Sequence, residues 1–453
     1  MRSRLTLKNG AQIAIIGGGP AGTFFAHFAR KFAQKKGIEV STTIFDGKDF
    51  LHPGPKGCNL CAGVISETLI DKLEEEGIFL PEERVLNRIE GYCFHIREKS
   101  IILSHPENKK AKIAAVFRGN GPRYSSFPEN ISFDDFLLSF VIDEGTKIIP
   151  HPVWDIKFPK DKVYPLSVFY GPKNNPLEFK ADLVVGAFGL NLYLMKKMVN
   201  LGFGYRPPST LTTYQAELKL GQQEISKYFG NNIHIYLPKS KKIRYVTIVP
   251  KREYITVSII GRKDATQQEF LEFLELKEIQ DKISFSQSYC FCRPKIVTTP
   301  SHTPFSDRLI MIGDASFSRY YKSGIESAFV TAQLASETAI NFGVDISSFY
   351  SRYYNQAKRL IIRDNYYGRL LFFMNDIISS ASVITQAHLS LAEREKKSFP
   401  SGQLRNVLWN MFTGNVPYKK IFRDALNLKL QIVLFQNIGK ILLQKIKNFL
   451  KRK

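Results

Sequence analysis

The spacing of apolar residues divides the chain into regions of different pattern. Residues 13–16 are consecutively apolar, which predicts a buried parallel strand, and a helix and a second strand over residues 39–45 follow. Residues 210–261 alternate apolar and polar positions, which predicts an antiparallel sheet. Residues 309–340 return to the strand-then-helix pattern, and the positions after about residue 347 follow a helical period. The pattern therefore predicts an α/β protein in which an antiparallel sheet is inserted into a parallel one.

The first predicted strand ends in a glycine-rich turn, which consists of Gly17, Gly18, Gly19, Pro20, Ala21 and Gly22. In a G-x-G-x-x-G turn, the first glycine permits a tight bend, the second lets the backbone approach a pyrophosphate, and the third lets the next helix pack closely on the strand. Asp46 ends the second strand, 24 residues after Gly22, near the spacing at which an acidic side chain reaches a ribose hydroxyl. The turn and Asp46 together predict a dinucleotide-binding βαβ unit.

A second strand-to-glycine turn lies at the other end of the α/β pattern, where an apolar run leads into Gly313 and Asp314. Asp314 would accept a hydrogen bond from a ribityl hydroxyl. A helix begins near Gly324 and Ile325, and the backbone N–H groups of residues 323–325 would face the pyrimidine edge of a flavin ring. A Gly-Asp turn also ends many ordinary strands, so it indicates a cofactor site only in combination with the first motif. The two motifs together predict FAD as the cofactor.

These turns and the antiparallel sheet between them resemble the p-hydroxybenzoate hydroxylase superfamily of FAD proteins. Within it, the Cys61-Ala-Gly63 turn and Arg118 ahead of Phe133-Asp-Asp-Phe-Leu137 are similar to the geranylgeranyl reductase branch. The resemblance implies a Rossmann-like FAD-binding domain of the glutathione-reductase type, an antiparallel substrate domain and a helical carboxy-terminal region. It also implies a reductase of carbon–carbon double bonds, in which Arg118 lies at the cofactor and Cys61 is the candidate catalytic residue.

We divide the chain accordingly. The predicted parts are a discontinuous FAD-binding domain over residues 10–62, 110–190 and 300–345, a substrate domain over residues 63–109 and 191–299, and a helical region over residues 346–453.

Three departures from the superfamily's pattern stand out. Flavin hydroxylases of this type usually carry Asp-Gly after the middle strand, but this chain has Ala187-Phe-Gly189, which favours a reductase. Tyr321-Lys-Ser-Gly324 replaces the usual proline before the last Gly-Ile pair. The spacing leaves open whether Arg118 or Arg123 faces the cofactor.

The function predicted from the sequence is therefore an FAD-dependent oxidoreductase that reduces an apolar or isoprenoid substrate. Its electrons would come from an external donor, either NAD(P)H or a ferredoxin-like protein, because the chain shows no second G-x-G-x-x-G motif. The alternatives are a flavin monooxygenase or halogenase of the same fold, a flavin and metal electron carrier, and a flavin-stabilised interaction protein. The Trp-x-Trp-x-Ile-Pro stretch typical of the halogenases does not occur.

Charge and cysteine content refine this picture. The 64 basic and 41 acidic residues give a formal net charge of +23, which favours anionic partners, but no nucleic-acid-binding motif is recognisable. Five cysteines in 453 residues suit a reducing cytoplasm, and no signal peptide is predicted. Four of them form two close pairs, Cys58 with Cys61 and Cys290 with Cys292. We favour inert or flavin-adjacent thiols over a redox dithiol or a metal site, and we assign Cys93 to the core.

The carboxy-terminal segment is basic and amphipathic. Residues 416–453 contain ten Lys or Arg and one Asp, and an apolar stripe recurs at helical spacing, formed by Phe435, Ile438, Leu442, Ile446 and Phe449. Such a helix can lie on an anionic bilayer as a peripheral anchor, or it can pack on its own domain. The pattern does not separate these two interpretations.

Overall fold

A computed structural model gives the structure of residues 4–96, 99–159, 165–238, 240–283, 287–396 and 402–450. The strands are β1 Ala11–Ile16, β2 Val40–Phe45, β3 Val64–Ile65, β4 Asn87–Ile89, β5 Gly91–Ile96, β6 Lys99–Ser104, β7 Ile113–Ala115, β8 Lys147–Ile149, β9 Val153–Lys157, β10 Leu166–Tyr170, β11 Leu177–Ala181, β12 Leu183–Gly186, β13 Thr210–Thr212, β14 Tyr214–Lys219, β15 Asn232–Tyr236, β16 Ile243–Lys251, β17 Tyr254–Gly261, β18 Gln287–Cys292, β19 Lys295–Val297, β20 Phe305–Ser306 and β21 Leu309–Met311.

The α-helices are α1 Pro20–Lys36, α2 Glu67–Glu75, α3 Phe133–Asp143, α4 Leu192–Asn200, α5 Gln222–Tyr228, α6 Gln267–Leu274, α7 Lys277–Ile283, α8 Gly324–Glu337, α9 Ile346–Ser348, α10 Asn355–Ala357, α11 Arg363–Ser380, α12 Ser382–Glu395, α13 Gln403–Thr413, α14 Tyr418–Ala425 and α15 Leu428–Leu450. The chain forms two compact units. Unit 1 comprises residues 1–61, 117–211 and 295–363, and unit 2 comprises residues 62–116, 212–294 and 364–453.

Unit 1 is built on a six-stranded sheet in the order β20-β21-β12-β1-β2-β8. Strand β1 pairs in parallel with β2 on one edge and with β12 on the other, so it lies inside the sheet. Ile15 faces Gly22 of α1, and Ala14 and Ile16 pack on the other face among residues of β9 and β10, so both faces are covered. This explains why residues 13–16 are uniformly apolar, and all four are buried. Helices α1 and α8 pack against each other, with the ring of Phe329 in edge contact with Phe24 and Phe28.

Unit 2 is built on a seven-stranded sheet in the order β18-β14-β17-β16-β15-β5-β6. Its neighbouring strands are antiparallel except for β15 and β5, which run parallel. The alternation predicted for residues 210–261 appears as one sheet face packed on helices α5 to α7. Ala216, Val257 and Phe270 are among the fully buried residues there. The residues between them, such as Glu217, point to the opposite face.

The predicted fold class is confirmed. A parallel Rossmann-like sheet, an antiparallel sheet and a helical carboxy-terminal region are all present. Two helices begin at serine caps, since Ser66 accepts a hydrogen bond from the Leu69 N–H and Ser132 accepts one from the Asp135 N–H.

Candidate functional site

The glycine-rich turn joins β1 to α1, and its shape excludes side chains at two positions. A Cβ atom on Gly22 would lie 2.0 Å from the carbonyl oxygen of Gly17. Gly17 has a φ of +113° and lies against the Ala187 carbonyl, so it too requires glycine. Pro20 begins α1, where its missing N–H is not needed. The turn therefore brings the amino end of a 17-residue helix directly against the sheet.

Gly19 differs from its neighbours because the space beside it is open apart from two side chains. A Cβ atom there would lie 3.3 Å from the Asn59 amide nitrogen and 3.8 Å from an Arg118 guanidinium nitrogen. The start of the helix, where backbone N–H groups have no helical partners, thus meets a cationic side chain. This arrangement suits a pyrophosphate.

Asp46 lies at the end of β2, where its carboxylate accepts hydrogen bonds from the backbone N–H groups of Gly18 (2.7 Å) and Lys48 (2.8 Å). Burial raises the pKa of Asp46, although these two hydrogen bonds and the Lys48 ammonium oppose the shift. The predicted ribose-binding carboxylate is therefore held beside the glycine-rich turn by the turn itself.

Arg118 is buried and paired with Asp134, the second residue of α3. Its Nε and Nη2 atoms donate to the two carboxylate oxygens, with a distance of 2.8 Å for the second bond. Burial opposes the charge of Arg118, but the attraction of Asp134 outweighs it, so the net pKa is raised. Arg123 instead packs its backbone and Cβ against Gly54. The structure thus brings Arg118 to the glycine-rich turn.

Two further residues complete a polar network that the sequence analysis did not identify. The Asn59 amide donates to Asp134, and the Lys48 ammonium donates to the Asn59 side-chain oxygen (2.6 Å) and to the Cys58 carbonyl (2.9 Å). Burial lowers the pKa of Lys48, while the carboxylate of Asp46 opposes that shift. In the sequence, the only indication of Asn59 is its place in a long Gly- and Pro-rich loop, because such loops inside a domain are often functional.

The Gly313-Asp314 turn lies against the glycine-rich turn that follows β1. Gly313 follows β21 with a φ of +60°, and a Cβ atom there would lie 3.0 Å from the Cβ atom of Ala21. The Gly313 N–H donates to the Thr331 hydroxyl on α8. Burial raises the pKa of Asp314, and the hydrogen bond of Ser318 and the charge of Arg118 oppose the shift. Residues nearly 300 positions apart therefore line one surface.

The segment before α8 is conformationally strained. Tyr321 and Ser323 have φ values of 61° and 54°, in the left-handed region that non-glycine residues rarely occupy. Gly324, the first residue of α8, lies beside the Asp314 carboxylate, and Ile325 follows it buried. Burial and the nearby Arg319 lower the pKa of Lys322 well below its usual range. The predicted flavin-facing helix start is thus held by a fixed, strained loop.

Cys61 is half-buried and lies close enough to Arg118 to interact with it electrostatically. Cys58 is also half-buried and its sulfur accepts the N–H of Leu60. The second cysteine pair lies in β18 of unit 2, where Cys290 and Cys292 are opposite Glu217 and Gln215 in register. Within the described residues, neither pair belongs to a group of three potential metal ligands close enough to share an ion.

The face of the unit 2 sheet that carries Glu217 is polar as well as buried. Glu217 accepts hydrogen bonds from the Thr256 hydroxyl (2.7 Å) and the Gln215 amide (3.4 Å), and Ser258 donates to Gln215. Burial raises the pKa of Glu217, although the charge of Lys251 opposes the shift. The alternation of the sequence predicted a polar face but not its burial.

Comparison with known proteins supports the fold. No family model matches the chain, and no curated protein matches its sequence. Among solved structures, a geranylgeranyl bacteriochlorophyll reductase-like protein from Thermoplasma acidophilum has 14% identity and a TM-score of 0.66, covering 96% of this chain and 100% of that one. A flavoprotein/dehydrogenase from Cytophaga hutchinsonii has 16% identity and a TM-score of 0.65, with coverage of 96% and 100%.

A third similar structure is a ternary complex of aklavinone-11 hydroxylase with FAD and aklavinone. It has 14% identity and a TM-score of 0.53, and the match covers 74% of this chain and 62% of that one. These proteins include reductase-like and hydroxylase members, so the likeness does not separate the two activities. The chain shares its fold with these reductase-like, flavoprotein and hydroxylase structures.

Proposed function

We propose that the chain is an FAD-dependent oxidoreductase, and specifically a reductase that saturates carbon–carbon double bonds in an apolar or isoprenoid substrate. The observation that carries the cofactor assignment is the meeting of Gly313 with Ala21, beside Asp314 and Arg118 in unit 1. When bound, FAD would take electrons from NAD(P)H or a ferredoxin-like donor and pass a hydride to one alkene carbon.

The residues of unit 1 fit the parts of FAD. The N–H groups at the start of α1 would hold the pyrophosphate, and Arg118 would balance its charge. Asp46 would hold the ribose, and Asp314 would accept from a ribityl hydroxyl. The N–H groups at Gly324 would lie at the pyrimidine edge of the ring, where the dipole of α8 stabilises negative charge.

Cys61 is the residue that we propose as the proton donor. Adding a hydride to one alkene carbon leaves the other carbon to take a proton, and the Cys61 thiol would supply it. The positive charge of Arg118 would stabilise the thiolate formed, and solvent would return the proton because Cys61 is half-buried.

The test uses chemically reduced, FAD-loaded protein and a polyprenyl alcohol under anaerobic conditions. We expect a product two mass units heavier, formed without oxygen (one hydride and one proton added). Cys61→Ser should slow this reaction and leave FAD content unchanged, whereas the matched change Cys58→Ser should leave both unchanged. In a parallel assay in air, oxygen uptake in step with a hydroxylated product would instead show the monooxygenase alternative.

We further propose that unit 2 attaches to an anionic membrane surface, from which an apolar substrate would come. Helix α15 packs one face through Asn437, which hydrogen-bonds Ala387 and Ser390 of α12. Its opposite face leaves large apolar side chains in solvent, with Phe435 at 68% exposure and Ile446 at 55%. Of the predicted stripe, Leu442 is also exposed, Ile438 is half-buried, and the Phe449 side chain lies outside the described residues.

A second exposed apolar stripe supports this proposal. On α11, four large apolar residues at helical spacing are each at least 46% exposed: Tyr366, Leu370, Phe373 and Ile377. In the described part of the chain, no single helix is long and apolar enough to span a membrane. One bent pair of helical segments, Ile346–Ser380 with Ser382–Glu395, is long and apolar enough when the two segments are taken together. Peripheral attachment agrees with both observations.

Vesicle binding tests this attachment. Each basic residue near an anionic surface contributes about 1 kcal/mol, so changing Lys440, Lys445 and Lys447 to Glu should weaken binding at least about 100-fold. The matched change of three lysines in unit 1, Lys31, Lys35 and Lys196, should have little effect. Added salt should weaken binding steeply. Unchanged binding in the α15 variant would refute the role of α15.

A further inference from the structure

Three potential metal ligands lie together inside unit 2, and none of them is among the residues proposed to hold FAD. Cys93 and His95 lie two positions apart on β5, and His234 lies opposite Cys93 on the parallel strand β15. Register and alternation place all three side chains on one face of the sheet. All are buried, and one ligand atom from each lies within 4.8 Å of the other two.

The two imidazoles are hydrogen-bonded in a chain that fixes their ring nitrogens. His234 Nε2 lies 3.0 Å from the carbonyl oxygen of Phe229, so it carries the proton and donates. His234 Nδ1 must then accept from His95 Nε2, which lies 2.8 Å away. At the outer end, His95 Nδ1 lies 2.8 Å from the hydroxyl of Ser100, an exposed residue.

We propose that Cys93, His95 and His234 bind a late first-row transition metal ion, with Zn²⁺ as the expected occupant, through one thiolate sulfur and two imidazole nitrogens. This ligand set suits Zn²⁺, which takes Cys sulfur and His nitrogen in tetrahedral geometry. A fourth position remains for water or another small ligand.

The required movement is small. Zinc-to-ligand bonds of about 2.0 to 2.3 Å place tetrahedral ligand atoms about 3.3 to 3.6 Å apart. The two imidazole nitrogens would separate by about 0.5 Å from their present 2.8 Å, and the sulfur, which lies within 4.8 Å of them, would approach by at most about 1.5 Å.

The groups around the site already provide the outer contacts that metal-binding histidines need. His234 keeps its bond to the Phe229 carbonyl while Nδ1 binds the ion. His95 moves its proton from Nε2 to Nδ1 and donates it to Ser100, whose hydroxyl turns from donor to acceptor. The only proton lost to solvent is then that of the Cys93 thiol, so one proton leaves for each ion bound.

The electrostatic surroundings agree with neutral histidine ligands. Burial lowers the pKa of His95 to about 3 and that of His234 to about 4, so both are unprotonated at neutral pH. Burial raises the pKa of the Cys93 thiol, and the Lys282 ammonium on α7 opposes that shift. Among the described residues, Lys282 acts on the cluster, and Glu278 acts on Tyr236, whose ring stacks on His95. A thiolate would offset part of the charge of the ion beside Lys282.

Cobalt(II) titration of the full chain, stripped of metal by a chelator, tests the proposal. We expect one equivalent to bind, with the visible bands of tetrahedral Co²⁺, a thiolate charge-transfer band and the release of one proton into weakly buffered solution. Zinc added afterwards should displace the cobalt. Metal analysis after desalting should give one zinc per chain.

The variants separate this site from adventitious binding. Cys93→Ser should remove the charge-transfer band, and Ser100→Ala should weaken metal affinity about 10- to 100-fold by removing an outer contact. Cys292→Ser and His388→Gln, elsewhere in unit 2, should leave both unchanged. Circular dichroism and thermal melts of the metal-free variants establish that each is folded.

Two results would overturn the proposal. One is the absence of stoichiometric binding to the folded wild-type chain, in which case the three residues are only a hydrogen-bonded core pair with a neighbouring thiol. The other is binding that persists unchanged in the folded Cys93→Ser variant. Neither result bears on the FAD-dependent function, because the residues concerned are different.

Discussion

Gly19 and Gly22 belong to the same turn, yet the structure predicts opposite consequences for substitution. A Cβ atom on Gly22 would lie 2.0 Å from the Gly17 carbonyl oxygen, whereas real contacts of this kind stay beyond about 3 Å. The helix start must therefore move by about 1 Å from the strand. Overpacking of this kind costs about 1 to 3 kcal/mol, so Gly22→Ala should destabilise the protein even without cofactor.

Gly19→Ala should leave the metal-free, cofactor-free protein almost unchanged. The nearest atom to the new methyl group is the Asn59 amide nitrogen at 3.3 Å, on a side chain that can shift. The methyl group would instead occupy the space through which a pyrophosphate reaches the backbone. Losing one charge-assisted hydrogen bond, about 1.5 to 3 kcal/mol, weakens FAD affinity about 10- to 150-fold. Gly19→Val should remove FAD entirely.

The assay has two readouts on the same samples. Thermal melting of the FAD-free protein measures stability, and quenching of flavin fluorescence on titration measures FAD affinity. Gly439→Ala on α15 is the control, because no atom lies within 4 Å of its Cβ position. Full FAD affinity in Gly19→Val would refute the site assignment, and wild-type stability in Gly22→Ala would refute the packing argument.

Two other predictions concern buried ionisable side chains. Asp134→Asn removes the carboxylate that pairs with buried Arg118, so urea unfolding should show a loss of about 3 to 5 kcal/mol, which Asp135→Asn in the same helix turn should not reproduce. The pKa of His234 is lowered to about 4, so the unfolded chain takes up a proton below pH 6.5 that the folded chain does not, and stability falls as the pH drops from 6.5 to 4. This contribution reaches about 3 kcal/mol at pH 4, and urea unfolding of His234→Gln should show a correspondingly flatter pH dependence.

Local signals were sufficient to predict much of the fold. The apolar run at residues 13–16 and the turn that ends at Gly22 specify a βαβ unit because both depend on neighbouring residues. The parallel pairing of β15 with β5 was not predicted, since strands 140 residues apart carry no mark of their register. The contact between His95 and His234 could not be predicted for the same reason, because it depends on that register.

The candidate site shows the same division between local and distant signals. Position in a motif indicated Asp46 and Asp314, but the polar network around Arg118 is built from separate segments of chain. Asn59 lies in a loop and Asp134 in the first turn of a helix, where an acidic residue is common for reasons of capping and dipole alone. Nothing in the sequence separates that ordinary role from the ion pair that holds Arg118.

Exposure is the property that a periodic pattern conveys least. The residues of α11 from Tyr366 to Ile377 repeat every three or four positions, as they would on any helix with a buried face, yet this face is in solvent. The stripe of α15 was recognised only because lysines accompany it. Charge drew attention to that stripe without separating a membrane-facing helix from a packed one, and α11 has no such excess beside its apolar residues. A search for membrane-facing helices in chains of this kind therefore needs the burial of each stripe as well as its spacing.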